Sequence, residues 1–168
     1  MSVIRKYISH YDLNLQEQVE ALIKKKTLDK YLLSSYPTAH VMRTDKALYA
    51  YTMNIKNDFI KSRASLSKII YDNKIKDVNS ALGTHTFVSR VQGSKLKAKH
   101  EIRISHLFKN MPEAFLKMIV VHELAHLKEK SHNKAFYKLC QHIEPKYHQY
   151  EFDLRVYLTY KEIFGKLY

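Results

Sequence analysis

Residues 115–132 read FLKMIVVHELAHLKEKSH, an apolar run that continues into the motif His122-Glu123-Leu124-Ala125-His126. Residues four apart lie one turn above each other on the same face of a helix, so His122 and His126 can offer two imidazoles to one metal ion. Zinc takes nitrogen ligands at roughly 2.0–2.1 Å, and a catalytic zinc site keeps one position open for water. The Glu123 carboxylate can take a proton from that water. The segment therefore predicts the active site of a zinc-dependent hydrolase, with Zn²⁺ as its cofactor.

The apolar residues of this segment cover the predicted helix on most sides, which indicates a buried helix. Pro112 and Glu113 suit its first turn. Two histidines and a glutamate inside a buried helix need polar partners. A metal site provides those partners, and it is favoured over a purely structural, hydrogen-bonded role for the same side chains.

A third ligand is needed, and the spacing leaves two possibilities open. Six further residues of continuous helix would move His132 about 9 Å along the axis and turn it away from the metal. His132 can therefore be a ligand only if the helix breaks between Leu127 and Ser131. A glutamate farther along the chain, Glu144 or Glu151, is the alternative. Imidazole suits zinc, which favours His132.

Length and composition favour a cytoplasmic protein of one domain. The chain has 168 residues and one cysteine, Cys140, which excludes an internal disulfide and fits a reducing compartment. The first residues lack the apolar run of a secretory signal, and the longest apolar runs fall short of the roughly 20 residues that cross a bilayer. We expect a soluble, cytoplasmic protein without membrane association.

The positive charge is concentrated in the middle of the chain. Residues 61–110 hold eleven Lys or Arg against three Asp or Glu, so they contribute +8 of the net charge of +13. A field of this sign attracts polyanions. The segment predicts binding of nucleic acid or another polyanion through its basic residues Arg90, Lys95, Lys97, Lys99 and Arg103. The alternative is a solvated, lysine-rich surface that keeps the protein soluble.

Apolar periodicity outlines the remaining elements. We expect irregular structure over 1–13 and a helix over about 14–26, with Asn14 and Glu17 as a capping box. The other expected elements are helices over 27–35 and 45–61, strands over 84–91 and 96–105 joined by a turn at 92–95, a helix from about Asn133, and a last helix from Gln149 to about Phe164. The predicted fold class is α+β, a minimal zincin-like metallopeptidase whose small antiparallel or mixed sheet packs on the HExxH helix.

The residues HELAHLKEKSHNKAF (122–136) resemble the HExxH-x5-H-x3-F/W signature of the YgjP-type and WLM-type minimal metallopeptidases, which are related to the SprT-like group. The flanks GTHTFVSRVQGSKLKAKHEIRIS (83–105) and EPKYHQYEFDLRVYL (144–158) are also similar to YgjP-type sequences. The resemblance implies that His122, His126 and His132 bind zinc and that Glu123 is the general base. It extends from about Leu82 to Leu158. We therefore divide the single domain 1–168 into a helical N-terminal extension, 1–75, and a zincin-like catalytic core, 76–168.

The leading hypothesis is a zinc metallopeptidase that acts on a peptide or protein. A metal-dependent hydrolase of nucleotides or other phosphates is the chemical alternative, motivated by the basic segment. A nucleic-acid-associated protein, including a protease directed at DNA-bound proteins as in WLM and SprT relatives, is the third. The side chains that could stabilise a transition state are Arg90, Tyr137, His148 and Tyr150. The histidines expected at the surface or in structural hydrogen bonds are His85, His100, His106, His142 and His148.

Overall fold

The computed structural model describes residues 2–75, 83–92 and 95–168, with the backbone alone for Ser2, Arg5, 83–92 and 95–99. These residues form α1 (Ser2–Ile8), α2 (Leu13–Lys24), α3 (Leu28–Ser35), α4 (Asp45–Phe59), β1 (Leu66–Asp72), β2 (Gly83–Gln92), β3 (Lys95–Ser105), a 3₁₀ helix (His106–Asn110), α5 (Glu113–Ala125), α6 (Lys134–Ile143) and α7 (Tyr147–Phe164). The α+β class predicted from the sequence is confirmed.

The three strands form one mixed sheet in the order β1-β3-β2. The central strand β3 runs parallel to β1, with Ile69 opposite Ile102, and antiparallel to β2, with Gly83 opposite Ile104. Strands β2 and β3 occupy the two alternating segments that the sequence marks as strands. The sheet leads through the 3₁₀ helix directly into α5, and α5 contacts both β2 and β3.

Helix α5 lies at the centre of the molecule. Its apolar side chains are almost all fully buried, as are Glu123 and Ala125 near its C-terminal end. The helix contacts α4 on one side and α6 and α7 on others. A helix that is apolar on most sides must be enclosed in this way, because any exposed face would leave apolar surface in water. The site that begins at its C-terminal end is thus held by the most buried element of the fold.

The expectation of irregular structure over 1–13 is wrong, because residues 2–8 form α1. Ile4, Tyr7 and Ile8 follow helical spacing and are buried against α7. The Tyr7 hydroxyl also donates to the Glu162 carboxylate at 2.6 Å. A helix of seven residues is marginal in isolation, so its stability comes from this tertiary packing rather than from local propensity.

The predicted capping box at Asn14 is also wrong. Asp12 is the N-cap residue of α2, and its carboxylate accepts a hydrogen bond from the Leu15 backbone N–H at 2.9 Å. Asp is as good an N-cap residue as Asn, so spacing alone did not decide between the two positions. The other predicted helices agree with α2, α3, α4, α6 and α7 to within two residues at their N-terminal ends.

Most of the predicted polyanion surface falls outside the described side chains. This applies to Arg90, Lys95, Lys97 and Lys99, and residues 93 and 94 of the predicted turn are outside the described residues altogether. Arg103 is described, and it pairs with Asp72 at 3.1 Å and with Glu101 at 3.5 Å. The polyanion function stays a prediction. So does the division at residue 75, which adjoins the undescribed residues 76–82.

Within the described residues, none of the helices has the length and apolar content needed to cross a membrane. Cys140 is a buried free thiol on α6. The cytoplasmic location stays a prediction.

Candidate metal centre

The C-terminal end of α5 and the turn after it place three histidines together. The helix ends at Ala125, with His126 as its C-cap residue, and the chain turns between Leu127 and Asn133. Asn133 then caps α6, because its side-chain oxygen accepts from the Phe136 N–H at 2.9 Å. The helix therefore ends at or just before the segment in which the sequence required a break. His132, which a continuous helix would have turned away, lies in this turn.

The three imidazoles converge through their Nε2 atoms. The Nε2 atom of His132 lies 3.1 Å from that of His122 and 3.1 Å from that of His126. One nitrogen from each ring falls in a group whose members all lie within 4.8 Å of one another. Nitrogens bound to one tetrahedral ion at roughly 2.0–2.1 Å must themselves be a little over 3 Å apart. The donor set and its spacing fit a divalent ion such as zinc.

The Nδ1 atoms of His122 and His126, which face away from the group of Nε2 atoms, each have a polar partner in the protein. Nδ1 of His126 lies 3.0 Å from the Glu129 carbonyl oxygen. A carbonyl only accepts, so this Nδ1 carries the proton and Nε2 keeps its lone pair. Nδ1 of His122 lies 2.7 Å from the Tyr147 hydroxyl. Such partners on the far nitrogen fix the tautomer and the ring orientation of metal-binding histidines.

The ring of Phe136 contacts the rings of all three histidines. Its centroid lies 4.9 Å from that of His122, 4.7 Å from that of His126 and 4.9 Å from that of His132. Phe136 is fully buried, whereas His132 is exposed. The histidines are thus covered by an apolar ring on one side and open to solvent on the side of His132.

Burial keeps the imidazoles neutral and therefore able to bind a cation. Removal from water lowers the pKa of His122 to about 3, with a further contribution from the neighbouring His126 and His132 charges. Burial also lowers the pKa of His126. At neutral pH both rings have free lone pairs for a metal ion.

Glu123 is buried next to this group. Only 1% of it is exposed, and its Oε2 atom has no hydrogen-bond partner among the described residues. Removal from water raises the pKa of Glu123 to about 8. An unpaired buried carboxylate is costly unless a cation or a substrate proton satisfies it. A cation held by the three imidazoles would meet that need, and a buried carboxyl in this position suits a general base.

The two glutamates considered as third ligands are paired elsewhere. Glu144 pairs with Lys117 at 2.5 Å, and Glu151 pairs with Arg155 at 3.4 Å. In the part of the chain that the structure describes, the His122, His126 and His132 group is the set of side chains spaced for a metal ion. This geometry favours His132 over either glutamate.

The candidate stabilising residues lie at different distances from the histidines. The Tyr137 ring lies 6.4 Å from that of His132, and the His148 ring lies 5.5 Å from that of Tyr137. The Tyr150 ring packs 6.2 Å from that of Tyr36. Arg90 is outside the described side chains, as is His85, while His106 and His142 are exposed. Among the candidates whose side chains are described, Tyr137 is therefore the one with a ring contact to a histidine of the group.

Tyr147 is the site residue that sequence reasoning missed. It is 1% exposed, and its hydroxyl contacts His122 across 25 positions of sequence. The segment EPKYHQY (144–150) is polar apart from Pro145 and its two tyrosines, and nothing in its local pattern distinguishes Tyr147 from Tyr150. Its pKa is raised by burial, which keeps the hydroxyl protonated.

Comparisons with known proteins identify the family that this chain resembles. The sequence model of the family described as "YgjP-like, metallopeptidase domain" matches residues 9–157. A protein of Escherichia coli (strain K12) named UTP pyrophosphatase is 56% identical over 153 residues, which are 91% of this chain and 92% of that protein. The search of solved structures gives no match. The match to the family begins at residue 9, so it includes α2, α3 and α4 as well as the segments that follow.

Proposed function

The chain belongs to the YgjP-like metallopeptidase domain family, and we propose that it is a zinc-dependent hydrolase of nucleoside triphosphates that releases pyrophosphate. The family and the relative both indicate a hydrolase. The choice of substrate rests on one observation: a protein that is 56% identical over nine-tenths of both chains is named UTP pyrophosphatase. In this proposal the zincin-like core serves a phosphate substrate.

His122, His126 and His132 would hold the metal through their Nε2 atoms, which lie 3.1 Å apart in the two pairs that include His132. Three imidazoles suit zinc, whereas magnesium and calcium prefer oxygen ligands. When bound, zinc supplies a Lewis acid that polarises a phosphoryl oxygen and lowers the pKa of water. Magnesium would reach the site with the triphosphate rather than on these histidines.

Glu123 is the proposed general base. The water oxygen forms a bond to the α-phosphorus, and the bond between that phosphorus and the bridging oxygen breaks. Pyrophosphate leaves with the electron pair of that bond, and the nucleoside monophosphate remains. Glu123 accepts the proton of the attacking water and can return it to the leaving oxygen. Its buried, unpaired Oε2 is free to do so, because no described side chain competes for it.

The charge of the chain supports a polyanionic substrate. The net charge is +13, and residues 61–110, which end just before α5, contribute +8 of it. A positive field raises the local concentration of an anion such as a triphosphate and speeds its encounter with the site. A neutral peptide would gain nothing from this field.

A peptidase is the second candidate, because the family is described as a metallopeptidase domain. The same three histidines and Glu123 would serve attack of water on an amide carbonyl. The edge strands β1 and β2 could hold an extended peptide by strand addition.

A direct comparison of substrates tests the proposal. The zinc-loaded protein is incubated with Mg²⁺ and UTP, and in parallel with casein and a peptide mixture. We expect UTP to yield UMP and pyrophosphate, and we expect Glu123→Gln to lower turnover at least about 100-fold. Glu113→Gln is the matched control, since Glu113 is an exposed glutamate in the first turn of the same helix. Peptide cleavage without UTP hydrolysis would favour the peptidase over the proposed function. Full activity of Glu123→Gln would show that Glu123 is not the general base.

A further inference from the structure

A cleft of about 420 Å³ opens between α2, α3 and α7, and its lining does not include the three histidines of the metal centre. One wall is formed by apolar residues of α2. The remaining walls carry aromatic rings and polar groups, namely Tyr11, Tyr31, Phe152, Gln18, Gln149 and His148. Ligand sites have this composition, an apolar and aromatic lining with a few placed polar groups.

The cleft and the metal centre are joined by a short series of rings. His148 lines the cleft, and its ring lies 5.5 Å from that of Tyr137, which lies 6.4 Å from that of His132. The His148 ring also lies 5.3 Å from that of Tyr147, whose hydroxyl contacts His122. The His148 end of the cleft is therefore within the length of one nucleoside triphosphate from the three imidazoles.

The aromatic rings of the cleft are held in place by contacts with neighbouring side chains. Tyr11 and Phe152 meet edge to face, with centroids 4.9 Å apart and an interplanar angle of 79°. Tyr31 is fixed through its hydroxyl, which donates to Asp153 at 2.8 Å. Proteins that bind single nucleotides stack bases on rings of this kind, at little entropic cost when the rings are held in advance.

The side-chain amide of Gln149 is the group of the cleft that could form hydrogen bonds with the edge of a base. Its Nε2 donates to the buried Asp153 at 3.0 Å, which fixes the orientation of the group. A carboxamide places an acceptor beside a donor, and that pair is complementary to the N3–H and a neighbouring carbonyl of uracil. The same cleft thus supplies rings for the faces of a base and an amide for its edge.

We propose that this cleft binds the nucleobase of the substrate, with the triphosphate directed past Tyr137 towards the histidines. This assignment rests on the proposed nucleotide hydrolysis. It makes the residues that line the cleft responsible for specificity towards the base. Phe152 contacts the base and not the reacting atoms, so its effect falls on KM rather than on kcat.

Kinetics of Phe152→Ala test the assignment. Pyrophosphate release is followed with UTP and with methyl triphosphate, which has the same reacting groups but no base or ribose. We expect the KM for UTP to rise about tenfold, the loss of one stacking contact, with kcat and the methyl triphosphate kinetics unchanged. Phe164→Ala is the matched control, since Phe164 is an exposed phenylalanine at the end of the same helix. Phe152→Leu, which keeps an apolar side chain, repeats the test if Phe152→Ala lowers the thermal midpoint.

Calorimetric binding of UMP and of ribose 5-phosphate separates the two proposals. The cleft assignment is supported if UMP binds more tightly than ribose 5-phosphate and if this difference is lost in Phe152→Ala but kept in Phe164→Ala. This holds even if no triphosphate is hydrolysed, since that result would contradict only the proposed function. UTP hydrolysis with equal KM values and equal UMP affinities in the two variants would overturn the cleft and leave the proposed function intact. Equal affinity of the wild-type protein for UMP and ribose 5-phosphate would likewise overturn it.

Discussion

The Tyr147 hydroxyl lies 2.7 Å from Nδ1 of His122, so the first turn of α7 orients an imidazole at the end of α5. This contact joins two elements that are far apart in sequence, and it gives His122 the polar partner that its buried position requires. A metal site formed by these histidines would depend on α7 as much as on the HExxH helix.

Tyr147→Phe should weaken zinc binding. The change removes one oxygen and keeps the buried ring, so packing is preserved while Nδ1 of His122 loses its partner. We expect the affinity for zinc, measured by competition with a chelator, to fall about 10- to 100-fold. Tyr157→Phe is the control, because Tyr157 is a buried tyrosine of the same helix that packs on Phe115. Equal affinities of the two variants would assign Tyr147 a packing role alone.

His132→Ala should lose the metal while remaining folded. His132 is exposed and lies in a turn, so truncation leaves the core intact, but the metal retains only two imidazoles. Elemental analysis after dialysis is expected to show about one zinc per chain in the wild-type protein and a small fraction of that in the variant. His142→Ala, at an exposed position on α6, should keep the wild-type content. Full zinc occupancy in His132→Ala would direct the search for the third ligand to Glu144 and Glu151.

Asp153→Ala should destabilise the fold strongly. The buried carboxylate accepts from the hydroxyls of Tyr31 and Tyr36 and from the Gln149 amide. Its removal leaves these donors unpaired, and we expect the free energy of unfolding in urea to fall by about 3 kcal/mol. Glu162→Gln removes the charge of the exposed pair with Lys6 but keeps an oxygen that can accept from the Tyr7 hydroxyl, so it should leave the urea midpoint close to the wild-type value. Similar midpoints for both variants would contradict a structural role for Asp153.

Cys140 should be unreactive in the folded protein. The thiol is fully buried, and burial raises its pKa to about 12. A group with this pKa is roughly one ten-thousandth thiolate near pH 8, against about a quarter for an exposed cysteine. We expect its reaction with a disulfide reagent to be at least about 1,000-fold slower than in concentrated guanidinium chloride. Complete labelling of the native protein within minutes would show that α6 opens readily.

The sequence predicted the central helix and the placement of His122 beside His126 because both depend on local pattern. The apolar run of α5, the i,i+4 spacing of His122 and His126, and the start of a helix near Asn133 can each be read within a few positions. A break between Leu127 and Ser131 followed from helix geometry once His132 was taken as the third ligand, and the chain turns there.

The features that the sequence did not predict depend on contacts between distant segments. Helix α1 is too short to be stable without α7, so its seven residues gave no distinct signal. Tyr147 gave none either, because a buried tyrosine of the core and one that contacts a histidine look alike in sequence. The cleft at Phe152 arises where α2, α3 and α7 meet, and no single segment contains it.

The packing of α1 against α7 also constrains the order in which the chain can fold during synthesis. Ile4 and Ile8 are synthesised well before α7, the helix that buries them. Asp153, which Tyr31 and Tyr36 need as an acceptor, is also made late. The apolar side chains of the early helices therefore stay exposed until α7 has been synthesised, a condition under which nascent chains depend on chaperones.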